Sequence, residues 1–205
     1  MIKKYIILFC FVVISYFMLK ACNVCGSEIS NGFIKVDLKT GKVTNLEREF
    51  EQEQKRYIKE CIFYLKPRMK NKLDLTNKIV NAIMRYKGDV EPRLIVAILY
   101  QESGFNPNAI SDNDIGIGQI CFIVWRREYK TTIQELLDPE TNIKICCGIL
   151  NYLRDTRSDK FENSWYSFYN SSTWEIKNVD DQVVAGRKVY WYAILRHLKK
   201  LERVK

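Results

Sequence analysis

Histidine is almost missing from this chain: His197 is the only one in 205 residues. A Ser-His-Asp hydrolase would have to use it. It stands in the basic run Arg196-His197-Leu198-Lys199-Lys200, the cationic last turns of a helical pattern, where a solvated or dipole-paired histidine is the ordinary expectation. No triad is assigned. The same scarcity argues against zinc, because Cys22-Asn23-Val24-Cys25 is a lone C-x-x-C with no second pair to complete a ligand set. No metal site is expected. Also missing is any arginine-rich strip interleaved with aromatics, or any nucleic-acid-binding motif, so nucleic acid is not an expected partner. The net charge of +9, from 33 Lys and Arg against 24 Asp and Glu, suits another polyanion, such as an anionic membrane face or an acidic cell-wall polymer.

A run long enough to cross a membrane comfortably is lacking as well. Tyr5 to Leu19 is uncharged and follows two lysines, but a bilayer core calls for about 20 residues. The layout is that of an export signal or a short membrane anchor. Leu19-Lys20-Ala21-Cys22 resembles a bacterial lipobox, with lysine where a small residue is usual. An uncleaved anchor fits the same segment. The expected location is therefore the cell envelope, exported and either anchored or periplasmic. Of seven cysteines, Cys10 lies in the apolar run, and the others could form disulfides in an oxidising space, with no pairing fixed by their spacing. Cys146 and Cys147, adjacent within a helical pattern, read as small core residues.

With 47% hydrophobic residues over 205 positions, the chain can bury one good core and hardly two. Residues 1–22 are the signal or anchor, and residues 23–71 hold a polar linker, a hairpin and a helix with no motif tied to chemistry. Phe33 to Leu38 and Lys42 to Leu46 alternate apolar and polar around Lys39-Thr40-Gly41, which predicts a β-hairpin. Phe50, Tyr57, Ile58, Cys61, Ile62 and Leu65 recur at helical spacing until Pro67. This part spaces or braces a body over residues 72–205.

In that body, Asp74 or Thr76 is expected to cap a helix carrying Leu75, Ile79, Ala82, Ile83 and Tyr86 and ending at Gly88. Short helical pieces follow over residues 120–129 and 132–137, with Trp125 buried or lining a groove. Asp138 caps a helix that has Pro139 in its first turn and runs through Leu153. Trp165 and Phe168 belong to an aromatic cluster at helical spacing, and an amphipathic helix over residues 183–201 puts Val189, Tyr190, Trp191, Ala193, Ile194 and Leu198 on or near one side. The fold class is mainly α.

The chemistry concentrates between Leu94 and Gln119. Pro92 suits a helix start, and Leu94, Ile95, Ala97, Ile98 and Leu99 are apolar on most sides, which predicts a helix buried nearly all round. Glu102 ends it. Ile98 and Leu99 lie one turn back on its face, and Gly104 opens the chain to a surface loop. A carboxyl placed there is half desolvated, so it keeps a proton near neutral pH and can act as a general acid.

Glu102-Ser103-Gly104-Phe105-Asn106-Pro107-Asn108-Ala109-Ile110-Ser111, followed by Gly116-Ile117-Gly118-Gln119, resembles the goose-lysozyme-like lytic transglycosylases of the soluble-lytic-transglycosylase type. Asp138-Pro139-Glu140-Thr141-Asn142-Ile143 and the helix reaching Tyr152-Leu153 extend the likeness. Phe168-Tyr169-Asn170-Ser171-Ser172 stands where the family carries Ala-Tyr-Asn-Ala-Gly, with its small residues replaced. The resemblance implies a lysozyme-like helical domain acting on peptidoglycan strands without metal or organic cofactor.

It further implies that Glu102 protonates the glycosidic oxygen between N-acetylmuramic acid and N-acetylglucosamine. As carboxylate, Glu102 then takes the proton of the sugar's own C6 hydroxyl, leaving a 1,6-anhydro end. Ser103, Gln119, Tyr169 and Asn170 would bind or position the sugar, while Asn106, Ser111 and Gly116 fix the loop. Two alternatives stay open. Asp112 or Asp114 could serve as the second carboxylate of a lysozyme-type hydrolase. A wall-binding or secretion-assembly module could keep the groove without turnover.

Overall fold

A computed structural model describes residues 28–30, 34–37, 43–170 and 181–204. The chain divides into two compact units, Met1–Glu51 and Gln52–Lys205. The first unit holds a three-stranded antiparallel sheet in the order β1 (Glu28–Ser30), β2 (Ile34–Asp37), β3 (Val43–Asn45). The expected hairpin is β2 and β3, in register Ile34↔Asn45 and Val36↔Val43. Its turn, Lys39-Thr40-Gly41, lies outside the described residues. The stretch read as a polar linker contributes β1, which pairs Glu28 with Asp37 and Ser30 with Lys35. An edge strand needs backbone partners rather than an apolar pattern, so polarity hid it. The apolar run, Cys22 and Cys25 fall outside the described residues, among which no helix is long and apolar enough to cross a membrane.

Helix α1 (Leu46–Leu65) passes from the first unit into the second. Its early residues face water, and Phe50, counted above with the apolar face, is 64% exposed. Its end, Ile58, Cys61, Ile62, Phe63 and Leu65, is buried. A 3-10 turn, Pro67–Asn71, buries Met69 and leads into α2 (Leu73–Tyr86). Neither Asp74 nor Thr76 caps α2, whose N-cap is Lys72 with no side-chain bond. Thr76 is already in the helix and fully buried, and its hydroxyl donates back to the carbonyls of Met69, at 3.2 Å, and Lys72, at 3.0 Å.

Helix α3 (Pro92–Ser103) buries every residue from Leu94 to Leu99, as the unbroken apolar run demands. After it come three two-residue strands, β4 (Ile110–Ser111), β5 (Asp114–Ile115) and β6 (Ile120–Cys121), paired antiparallel in that order. Sequence suggested a loop for β4 and β5 and the start of a helical piece for β6, because two-residue strands carry no periodicity; the helix over residues 120–129 is only Phe122–Trp125. Helices α4 (Phe122–Trp125) and α5 (Ile133–Leu136) are short. A capping box holds α5: Thr132 Oγ1 accepts from Glu135 N while Glu135 accepts from Thr132 N.

Helix α6 (Pro139–Phe161) begins as expected, with Asp138 accepting from Thr141 N at 2.9 Å and Thr141 Oγ1 at 3.0 Å. It continues two turns beyond Leu153. A 3-10 segment, Glu162–Asn170, then precedes α7 (Asp181–Leu201), which packs along α3. In α7, Tyr190, Ile194 and Leu201 are buried, but Val189 is 71% exposed and leaves the apolar side assigned to it. Cys146 and Cys147 are buried in the core; they, Cys61 and Cys121 are free thiols.

Candidate active site

Glu102 sits in the last turn of α3, which Gly104 ends at φ +58°. Only a residue without Cβ enters that left-handed conformation freely, so the chain turns away and leaves the Glu102 carboxyl beside an opening. Lys66, from the chain before the 3-10 turn, donates to the Gly104 carbonyl and braces this helix end. The opening is a hollow of about 240 Å³ whose lining includes Glu102, Asp114, Gln119, Trp125, Tyr169 and Asn170. Tyr190 Oη, from α7, donates to Glu102 Oε1 at 2.5 Å. Burial drives the Glu102 pKa up to about 7 from an ordinary 4.5; the Tyr190 hydrogen bond opposes this and the charge of Asp114 adds to it. The carboxyl is thus a proton donor near neutrality that stays within reach of the ionised form.

The hollow's floor is the loop from β4 to β6, and hydrogen bonds to buried groups set its shape. Ser103 Oγ donates to the Ile117 carbonyl at 2.7 Å and accepts from Asn106 N at 3.0 Å. Gln119 adopts φ +47°. Its Nε2 donates to the carbonyls of Gly116, at 2.9 Å, and Ala109, at 3.2 Å, while its Oε1 accepts from Ser111 Oγ at 2.9 Å. Tyr169 Oη donates to the Gly118 carbonyl at 2.7 Å. Beneath them lies Asn142, fully buried on α6. Its Oδ1 accepts from Gly118 N, and its Nδ2 donates to the Ile115 and Leu136 carbonyls, each at 2.8 Å. A Cβ on Gly116, at φ +79°, would come within 2.2 Å of both Asn142 Nδ2 and the Leu136 carbonyl. Only glycine fits there.

Glu102, Gln119, Tyr169 and Asn170 therefore share one hollow. Ser103 does not face it among the lining residues; its hydroxyl is engaged by the loop backbone. Of the two candidate second carboxylates, Asp114 lines the hollow and Asp112 does not. Burial raises the Asp114 pKa, a hydrogen bond from the Cys121 thiol lowers it, and the charge of Asp112 raises it. Trp125 lines the groove, one of the two places foreseen for it. His197 is remote from any triad: its Nε2 pairs with Gln101 Oε1 at 3.0 Å and its ring meets Tyr100 edge-on.

Two contributors escaped the sequence reading. Tyr190 looked like one more apolar position of the closing helix, and its pairing with Glu102 joins residues 88 positions apart. Asn142 lay in a segment noticed as a whole, but a buried asparagine announces its role only through the carbonyls it meets. The pattern that could have exposed it is helical spacing, since Asn142 falls three and four residues before Ile145 and Cys146 and so shares their buried face of α6.

The site is thus a groove in a mainly helical domain, lined by two carboxyls of raised pKa, Glu102 and Asp114, and floored by a pinned glycine loop. The transglycosylase SLT domain matches residues 80–188, more than half of the chain, and the chain belongs to that family. The chain is 29% identical over 124 residues to membrane-bound lytic murein transglycosylase F of Histophilus somni, covering 57% of this chain and 25% of that protein. It is 34% identical over 106 residues to membrane-bound lytic murein transglycosylase E of Buchnera aphidicola, covering 47% of this chain and 48% of that protein. The chain thus spans between a quarter and a half of the length of these relatives. No solved structure matches it significantly.

Proposed function

We propose that this protein is a lytic transglycosylase of peptidoglycan in which Glu102 is the single acid and base. The observation that carries the reading is a carboxyl with its pKa near 7, hydrogen-bonded by Tyr190 and opening onto a polar hollow. Protonated Glu102 gives its proton to the oxygen between N-acetylmuramic acid and N-acetylglucosamine. The resulting carboxylate removes the proton of the C6 hydroxyl, which closes on C1. The nucleophile belongs to the substrate, so positioning replaces a second protein carboxylate. Tyr190 holds the acid in place and favours its ionised form in the second half of the reaction. Gln119 and Tyr169 stiffen the loop that receives the sugar, Asn170 contributes an exposed amide at the rim, and Ser103 acts through the loop backbone it holds.

The working body is residues 52–205, placed in the cell envelope as the names of the membrane-bound relatives and the apolar N-terminal run suggest. One observation favours a second reading: Asp114 shares the hollow with Glu102, and paired carboxyls of unequal environment are the usual equipment of hydrolases. Mass analysis of fragments released from purified peptidoglycan decides. Ends one water lighter than the hydrolysed sugar establish the transglycosylase, full-mass reducing ends establish the hydrolase, and binding without release leaves a wall-binding module. Glu102→Gln should abolish release while strand binding persists; retained release removes Glu102 from its role.

A further inference from the structure

Beyond Trp125 the groove continues into a second hollow of about 420 Å³, lined by Val124, Trp125, Glu128, Tyr129 and Tyr152, with Val124 and Trp125 walling both compartments. Its character differs from the first. Three aromatic rings form the walls: Trp125 and Tyr129 stand 5.7 Å apart at 60°, and Tyr152 is 49% exposed on the outer side. Among the described lining residues the only charged side chain is the exposed carboxylate of Glu128. Arg126 turns its guanidinium over the Phe122 ring and lines neither compartment. The shape is held from behind by Gly148 of α6, where a Cβ would come within 2.6 Å of Tyr129 Oη. A negative charge among aromatic faces, on a chain of net charge +9, selects a cation with an apolar stem, since ring faces and carboxylate attract the ammonium and the rings cover its methylenes.

We infer that this second compartment binds the free side-chain ammonium of a peptide attached to the glycan strand, so that the enzyme reads the strand's peptides as well as its sugars. The inference rests on the peptidoglycan reading above. An amine carried directly on a sugar ring offers the same charge, but it brings hydroxyls and no methylene stem, which walls of this kind serve poorly.

The test compares the full chain with Glu128→Gln on strands that keep their peptides, on strands stripped of peptides by an amidase, and on stripped strands that have been N-deacetylated. On peptide-bearing strands the variant should raise KM about threefold, the size of one exposed ion pair, with kcat unchanged. On stripped strands, deacetylated or not, the two proteins should match. Acetylating the peptide amines should raise the KM of the unaltered chain by up to about tenfold, because ring and carboxylate contacts go together. It should also erase the difference between the two proteins. Equal KM values on peptide-bearing strands overturn the inference, as does a difference confined to deacetylated strands, which would give the site to a sugar amine. If no preparation is cleaved, the enzymatic reading fails separately. Sedimentation binding of the same strands then decides: weaker binding of peptide-bearing strands by the variant sustains the site, and equal binding removes it.

Discussion

At Glu102, structure and chemistry meet in one titration. A carboxyl whose native pKa is about 7, against an ordinary 4.5, binds its proton more tightly folded than unfolded. Native stability therefore falls as pH rises from about 4.5 to about 7 and is lowest above that window. Glu102→Gln, which cannot ionise, should escape the loss. Calorimetric melts should show the variant more stable than the parent at pH 8, by on the order of 3 kcal/mol, with the two converging below pH 5. On the reading proposed above, the same titration governs turnover, because only protonated Glu102 would begin bond cleavage. The alkaline limb of kcat/KM should fall through about pH 7. Tyr190 stabilises the charged form, so Tyr190→Phe should move that limb to higher pH while lowering its plateau. A limb left in place would show that the 2.5 Å contact does not set the acidity.

At the scale of elements, the loop between α3 and α4 depends on α6. Asn142 satisfies three buried backbone groups of that loop and its surroundings. Asn142→Ala would strand all three, and each unsatisfied buried group costs about 1 to 3 kcal/mol. We expect a loss on the order of 3 kcal/mol in denaturant unfolding and, on the reading proposed above, a fall in kcat larger than any rise in KM, because the floor of the hollow loosens. Gly116→Ala attacks the same contact from the other side. The double variant should lose much less than the sum of the single losses.

What the sequence disclosed about this region divides by range. The α3 helix, its glycine stop, the Asp138 cap and Glu102's half-buried setting follow from patterns within a few residues, and those patterns were readable. The two-residue strands, the Thr76 hydroxyl turned back on its own helix, and the Tyr190 and Asn142 partnerships are fixed by which distant backbone or side-chain group arrives opposite. No local spacing encodes that.

At the scale of the whole molecule, the question is where the working body begins. Its start was expected near residue 72, because the preceding stretch carries no chemical motif. The core says otherwise: Ile58, Cys61, Ile62, Phe63, Leu65 and Met69 are all buried within the Gln52–Lys205 unit, and Lys66 holds the end of the Glu102 helix. Fully burying a large apolar side chain contributes roughly 1.5 to 3 kcal/mol, so deleting five of them together with Cys61 removes on the order of 10 kcal/mol, comparable with the 5 to 15 kcal/mol by which a domain is ordinarily stable. A chain starting at residue 72 should therefore fail to melt cooperatively and release nothing from peptidoglycan. A chain starting at Leu46 keeps α1 whole and every one of those buried positions. It should melt within a few degrees of the full chain and cleave soluble strands at the same kcat. Comparable melts for the two truncations would mean that α1 only covers the body; a cooperative melt for the longer one alone makes α1 part of it.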